Sequence, residues 1–441
     1  MIKKKNFIDN LIFFIFILAL CLNCLFITFY LNKWTTIYYL YFSVLFLFFV
    51  VSFYFKFIVK DIDKKINYLT VFFSLICSLI LVEFILVKSN NLVFFEKYIL
   101  SKKFNIKYDF RSKLQVIRDG KNLYPSMHII SDKYVYSDIS DKQLIPLSGL
   151  SYSNTVLCNE NGFWAKYKSD RYGFRNPDSI WEEDEIEYLI VGDSYAHGAC
   201  VKDKNTFRNN LERLSGKNVI NLGIGGNGPL MTLGTMIEYG FLKNTNKIIW
   251  IFNISDLSDI TPELNNKILI KYLDEENFSQ NLKNKGPEID QLYNDIISDY
   301  FKKDNNFFKF FKIRELTNIV FDILISSKKK NKPLINDYMF NNFKKAASKI
   351  IYMSKLNNSE LYVVYIPIHW EYSRKPPSYK KYRDKTLTFF KSKNIKVIDL
   401  HKEKWSKDKN LFDNYAFGKN LHFTPRANDE ISEIIFKKTN F

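Results

Sequence analysis

The sequence predicts an α/β protein: a three-layer α/β/α domain on a parallel sheet, preceded by three transmembrane helices and a mainly β lead-in module. The prediction rests on three contrasts along the chain. Residues 1–90 are dominated by Phe, Ile, Leu and Tyr, residues 91–185 hold short apolar pieces separated by turn signals, and residues 186–441 alternate apolar strands with helical stretches.

In the first region, Leu11–Leu31, Ile37–Phe55 and Leu69–Val87 are each long and apolar enough to be read as bilayer spans. Lys3, Lys4 and Lys5 precede the first run, Lys33 alone separates the first two, and Lys56, Lys60, Lys64 and Lys65 separate the last two. This bias predicts a cytoplasmic N-terminus, and three spans then put everything after Lys88 outside. No small-x-small cleavage site follows the first run, against a removed signal peptide. Leu20 before Cys21 and Asn23 before Cys24 argue against a lipid-modified cysteine. The expected location is the cytoplasmic (inner) membrane, multi-pass, with the lipid bilayer as a partner. Glu83, one turn from the outer end of the third run, reads as reaching toward the interface, with a proton or substrate pathway as the alternative.

The lead-in at 91–185 carries turn signals such as "RDGKN" and "NENGFW" without a long helical period. From Glu187 five strands are predicted: Tyr188–Val191, Asn218–Leu222, Lys247–Phe252, Leu361–Ile366 and Ile395–Leu400. Helices between them imply right-handed crossovers and a sheet covered on both faces. A charged, helix-like insertion at about 256–345 follows the third strand, beside the usual ligand crevice, as a lid, a substrate platform or a packing accessory.

The net charge of +18 invites a nucleic-acid partner, but an extracytoplasmic domain meets none, and the lysines are dispersed. Cys21, Cys24 and Cys77 fall in the apolar runs. Cys158 and Cys200 do not, which makes them a candidate disulfide in an oxidising compartment.

Three stretches could carry chemistry. In "YLIVGDSYAHGACV", Gly192 allows a tight turn that lifts Ser194 to the sheet's carboxyl edge. Alternatively Asp193 or Ser194 is only the cap of the next helix. In "NVINLGIGGNGPLM", Gly223, Gly225, Gly226 and Gly228 offer backbone N–H groups to a developing oxyanion. The dinucleotide fingerprint fails there, because Pro229 follows and the spacing is wrong. In "LHFTPRANDEISEIIF", His422 stands just before a helix opening at Thr424 and Pro425. His197 is a rival base. His128, His197, His369 and His401 show no metal-ligand spacing, so neither metal nor cofactor is expected.

The order of these pieces, strand-GDS-helix, strand-NxGxxG, strand-xxSD and a C-terminal His before a helix, resembles the SGNH (GDSL-like) hydrolase family across about Glu187 to Phe441. The resemblance implies a flavodoxin-like sheet, with Ser194 as nucleophile and first oxyanion donor, Gly226 as second donor and His422 as general base. Two positions depart from the family. "NISD" puts Ser255 where an oxyanion-binding asparagine usually stands, with Asn253 two residues earlier. Lys419 replaces the acid three residues before the histidine, leaving Asn420 to orient the ring or a bare Ser194–His422 dyad. "CNENGFWAKYKSDRYGFRNPD" resembles a segment of membrane-tethered bacterial members associated with cell-surface polysaccharide, in which Cys158 and Cys200 would bridge the lead-in to the loop behind the nucleophile.

The function implied is a membrane-anchored, extracytoplasmic serine esterase or acyltransferase. Its substrates would be small acyl esters or an acylated surface glycan, O-acetyl groups included. The alternative, favoured by Ser255 and Lys419, is a catalytically weak protein that binds or presents a polysaccharide during assembly. A transporter is a poor reading, because three short spans without a central polar set seldom build a pathway.

Overall fold

The structure, a computed structural model, describes residues 2–30, 36–89, 91–126, 144–242, 244–304, 335–373, 377–418 and 421–440. The chain divides into two compact units, Met1–Glu96 with Asn306–Lys332 and Lys97–Asn305 with Pro333–Phe441.

The first unit holds the helices Ile2–Tyr30, Thr36–Phe53 and Ile62–Ser89. Among the described residues no helix is long and apolar enough to cross a membrane. This corrects the three expected transmembrane helices and the multi-pass inner-membrane location drawn from them. The apolar runs do become helices, but charge punctuates them: Lys3, Lys4, Lys5 and Asp9 in the first, Asp63, Lys64, Lys65, Glu83 and Lys88 in the third. Their apolar residues also find partners within the unit. Ile8, Ile12, Ile15 and Leu69 are buried together, Phe16 stacks on Phe49 at 5.0 Å, Phe55 stacks on Tyr68 at 4.4 Å, and Lys65 Nζ meets Asp9 at 2.5 Å.

The second unit begins with the lead-in. It holds the small strands β1 (Leu123–Pro125), β2 (Asn154–Val156) and β3 (Lys166–Lys168), β2 pairing parallel with β1 and antiparallel with β3. Among the described residues it has more helix than strand, including Lys113–Asp119, whose reciprocal Ser112–Gln115 capping box is visible in the letters S-K-L-Q.

The main sheet of this unit comprises β4 (Glu185–Gly192), β5 (Val219–Asn221), β6 (Asn244–Phe252), β7 (Glu360–Tyr365) and β8 (Lys396–Asp399), in the order β5-β4-β6-β7-β8. Every pairing is parallel, with Ile190 opposite both Asn221 and Ile249, Trp250 opposite Val363, and Val364 opposite Ile398. All five strands overlap the apolar runs that predict them. Tyr188, Leu189, Ile190 and Val191 are all buried, as a strand covered on both faces requires.

Two helix groups cover this sheet: Phe207–Ser215 packs with Pro425–Asn440, and Pro229–Glu238 packs with Asp256–Glu263 and Asp337–Leu356. Local chemistry sets their ends. Thr206 caps the first through Asn209 N–H, Gly216 closes it in a left-handed conformation, and Pro229 opens the next at its first position. After β4 the chain adds β5 on one side and then crosses to β6 on the other. That reversal opens a crevice at the carboxyl end of β4.

Lead-in and insertion both feed the core of this sheet. Ile145, Leu147, Phe174, Ile180 and Trp181 enter it from the lead-in. From the insertion come Leu257, Ile260, Leu269, Tyr272 and Ile289, so its described part packs rather than covers. Residues 305–334 of the insertion lie outside the described residues.

Candidate active site

The turn after β4 is forced by close approach. Gly192 has φ +137°, and a Cβ there would lie 2.4 Å from the Ile251 carbonyl oxygen. Asp193 is the cap: its carboxylate accepts the Tyr195 N–H at 2.9 Å. Ser194 therefore occupies the first position of the short helix Ser194–His197 with its hydroxyl free of capping duty. That hydroxyl lies 2.8 Å from His422 Nε2.

His422 is held from three sides. Tyr195 OH donates to the Leu421 carbonyl at 2.7 Å, and its ring lies 5.3 Å from the imidazole. The His422 carbonyl accepts the Ala416 N–H at 3.1 Å. Behind the ring stands Glu160, which accepts from Nδ1 at 2.9 Å through one oxygen and from the His422 backbone N–H at 2.9 Å through the other. With Nδ1–H donating to the carboxylate, Nε2 is left as the acceptor for Ser194. Burial pushes the Glu160 carboxyl up, but the neighbouring imidazole and the backbone N–H groups of His422 and Leu421 outweigh it and hold the group below its ordinary range.

Glu160 comes from the lead-in, and its neighbours join the serine loop to the histidine loop. Cys158 is bonded to Cys200 behind the nucleophile, their Cα atoms 4.9 Å apart. Asn161 Nδ2 donates to the Cys200 carbonyl and to the Phe423 carbonyl, both at 3.0 Å. Arg175, farther along, donates to the Gly198 carbonyl at 2.7 Å and the Val201 carbonyl at 3.0 Å. Cys200 itself has φ +62°, uncommon for a non-glycine residue. The four residues "CNEN" thus fix the serine loop, the histidine loop and the carboxylate relative to one another.

The remaining expected site residues divide. Gly226, at φ +84°, lies between two occupied amides: Gly225 N–H donates to His197 Nδ1 at 3.3 Å and Asn227 N–H to the Ile224 carbonyl at 3.1 Å. Among the described residues, neither Gly226 N–H nor Ser194 N–H has an acceptor within the protein. Asn253 and Ser255 are not aimed at a substrate. Asn253 Nδ2 donates to Asp193 and Asp256, both at 2.9 Å, and the Ser255 hydroxyl donates back to Asn253 Oδ1. Asn420 lies outside the described residues, as does Lys419. His197 is buried, accepts from Gly225 and packs edge-on against Tyr167, so it serves the glycine loop rather than Ser194.

Beneath the turn lies a cluster of buried acids. Burial raises Asp193 and Asp256 above the usual carboxylate range, Asp259 to about 7 and Glu263 to about 8. Glu263 accepts the Leu230 N–H at 2.8 Å and the Met231 N–H at 3.0 Å, anchoring the helix that follows the glycine loop.

A cavity of 320 Å³ opens at Ser194 and His422, with Glu160, Leu157, Trp164 and Lys113 among its walls. Cys158, Cys200 and His422 bring two sulfurs and a ring nitrogen within 4.8 Å of one another, but both sulfurs are committed to the disulfide.

No family profile and no curated protein matches the chain. Solved structures do. One, described as a putative lipolytic protein of the G-D-S-L family from Desulfitobacterium hafniense DCB-2, is 11% identical with a TM-score of 0.33, covering 58% of this chain and 99% of that one. Another, a member of the lipolytic protein G-D-S-L family from Veillonella parvula DSM 2008, is 11% identical with a TM-score of 0.32, covering 57% of this chain and 97% of that one.

Proposed function

We propose that the second unit is a serine ester hydrolase of the SGNH (GDSL-like) kind, acting on small acyl esters, those borne by glycans included, through an acyl-enzyme on Ser194. The observation that carries this reading is the continuous relay of Ser194, His422 and Glu160, at 2.8 and 2.9 Å, opening on a cavity.

Ser194 Oγ attacks the ester carbonyl while His422 Nε2 takes the hydroxyl proton. The carbonyl oxygen becomes an oxyanion, for which the Ser194 and Gly226 N–H groups are the candidate donors. The C–O bond to the alcohol then breaks, and the alcohol leaves with the proton from Nε2. A water, deprotonated by the same nitrogen, attacks the acyl-enzyme and releases the carboxylic acid and Ser194. Glu160 touches none of the reacting atoms. It is a positioning residue that fixes the tautomer and supports the imidazolium.

Asn253 is turned to Asp193 and Asp256, so the third donor of an SGNH site is missing, which costs about a hundred- to a thousandfold in turnover. Slow hydrolysis of activated acetyl esters is the expected activity. Purified full-length protein should release 4-nitrophenol from 4-nitrophenyl acetate above background, and Ser194→Ala should not. Equal rates for the two proteins would refute the assignment.

A further inference from the structure

A second cleft, of 520 Å³, opens on the same unit, within the range of small-ligand sites, about 300–1,000 Å³. Among the described residues none lines both this cleft and the cavity at Ser194. The lead-in supplies one wall, with Tyr152, Tyr167 and Asp178, and residues 203–209 supply the other. Tyr167 packs edge-on against His197, which lines the cavity at Ser194, with ring centres 5.3 Å apart, so the two openings are neighbours.

On the lead-in wall Tyr152 is 57% exposed, at φ +46°. A left-handed backbone at an aromatic residue is strained, and glycine or asparagine would relieve it. The fold gains little in return. Among the described residues the ring has no aromatic or cationic partner, and its hydroxyl makes one contact, donating to Asp178 Oδ2 at 3.3 Å. That carboxylate is itself held by Arg171, through the backbone N–H at 2.8 Å and through Nε and Nη2 at 3.0 and 2.9 Å. The strain therefore keeps a bare ring face at the rim of the cleft, in a fixed orientation.

The facing wall is polar and equally fixed. Thr206 Oγ1 donates to the Asp203 carbonyl at 2.8 Å and accepts the Asn209 N–H at 3.3 Å, so the two residues share one lip. An arginine orients each side chain and occupies half of it. Asp203 Oδ1 accepts from Arg175 Nε at 2.8 Å, which leaves Oδ2 as an acceptor. Asn209 Oδ1 accepts from Arg208 Nη1 at 3.0 Å, which leaves Nδ2 as a donor. A hydroxyl both gives and takes hydrogen bonds, and a lip with an acceptor and a donor side by side answers both needs. A wholly apolar ligand would strand both groups.

We propose that this cleft is a second binding site, for a carbohydrate, in which a sugar lays its C–H face on Tyr152 and bonds through its hydroxyls to Asp203 and Asn209. A sugar ring has an apolar face and a polar edge, the same division that the two walls present. The inference does not depend on the esterase assignment, because binding here involves neither Ser194 nor His422.

The test is saturation-transfer NMR of the full-length protein with methyl β-glucoside, methyl β-galactoside, methyl α-mannoside and N-acetylglucosamine, with Kd read from titration. At least one sugar should receive saturation, strongest at its ring C–H protons. Tyr152→Phe keeps the ring and should retain binding. Tyr152→Asn removes the ring and suits the left-handed backbone, so it should abolish binding while the melting temperature falls no lower than that of wild type. Asn209→Ala should weaken binding about tenfold, the loss of one hydrogen bond on a buried ligand edge. Because nothing is turned over, the result stands whether or not Ser194 is a nucleophile. No saturation of any of the four sugars, or equal saturation in wild type and Tyr152→Asn, would overturn the proposal. Displacement of the sugar by equimolar sodium sulfate would mark an anion site instead and overturn it equally.

Discussion

Two serine–histidine pairs stand at the carboxyl edge of the same sheet, and they differ in what stands behind and in front of the histidine. In the first, Ser194 and His422 meet at 2.8 Å, Glu160 backs the ring at 2.9 Å, and a cavity opens in front. In the second, Ser373 and His369 meet at 3.1 Å within the helix His369–Ser373, and the other ring nitrogen faces the Gly418 carbonyl at 3.3 Å. A carbonyl fixes a tautomer as a carboxylate does, but it carries no full charge to stabilise an imidazolium. His369 is also nearly buried, packed against Phe412 and Tyr415. Local geometry alone therefore suffices to form such a pair. What distinguishes a base is the charge behind it and the space ahead of it.

If that distinction holds, the heaviest losses fall on the first pair itself. Ser194→Ala and His422→Ala should each reduce hydrolysis of 4-nitrophenyl acetate by about ten-thousandfold or to background, and the double variant should be hardly worse than either. Additive losses would mean that the two do not act as a unit. Glu160→Gln keeps the shape but removes the charge, and should cost about a thousand- to ten-thousandfold in kcat with little change in KM. A carboxamide that sustains normal turnover would reduce the site to a dyad.

Next in size is the clamp. Reducing Cys158–Cys200, or replacing both with serine, frees the segment that carries Glu160 and should lower kcat by about a hundredfold, the cost of a misplacement near 1 Å. Circular dichroism would check that the fold survives. At the other end of the scale, His369→Ala and Ser255→Ala should be indistinguishable from wild type in kcat/KM, because their partners are structural.

The buried acids make a separate prediction, on stability. Burial raises the Glu263 carboxyl from 4.5 to about 8 in the folded protein, so between those values the folded state holds a proton that the unfolded state has lost. Stability therefore falls as pH rises through this window, and Asp259, raised to about 7, adds to the fall. The melting temperature should be lower at pH 9 than at pH 6, and Glu263→Gln should shrink that difference. A melting temperature that rises over the same range would contradict the protonated, buried acids.

The parts of this site legible in the sequence are those that a strand end or a helix start dictates. Ser194, Gly226 and His422 each follow or precede a strongly patterned element, so period and turn chemistry locate them. Glu160 is illegible because its partner is 262 residues away in the chain, and no local period marks a loop residue whose role is tertiary. The available signal is its place two residues after Cys158, within the segment whose resemblance implies a bridge to the nucleophile loop. The first 90 residues mislead for the opposite reason. Counting apolar letters registers the hydrophobic runs but not that Phe16, Phe49, Phe55 and Tyr68 have aromatic partners of their own. The third motif draws the eye to Ser255 and Asn253, yet their hydrogen bonds run to each other and to Asp193 and Asp256, which spacing alone could not reveal.

That a carboxylate from the lead-in activates a serine on the main sheet can be read from one rate: fluorophosphonate labelling, mapped by mass spectrometry, in wild type and Glu160→Gln. A single adduct on Ser194, formed at least about a hundredfold more slowly in the variant, is the expected outcome. No adduct on Ser194, or equal labelling rates in the two proteins, would contradict the relay.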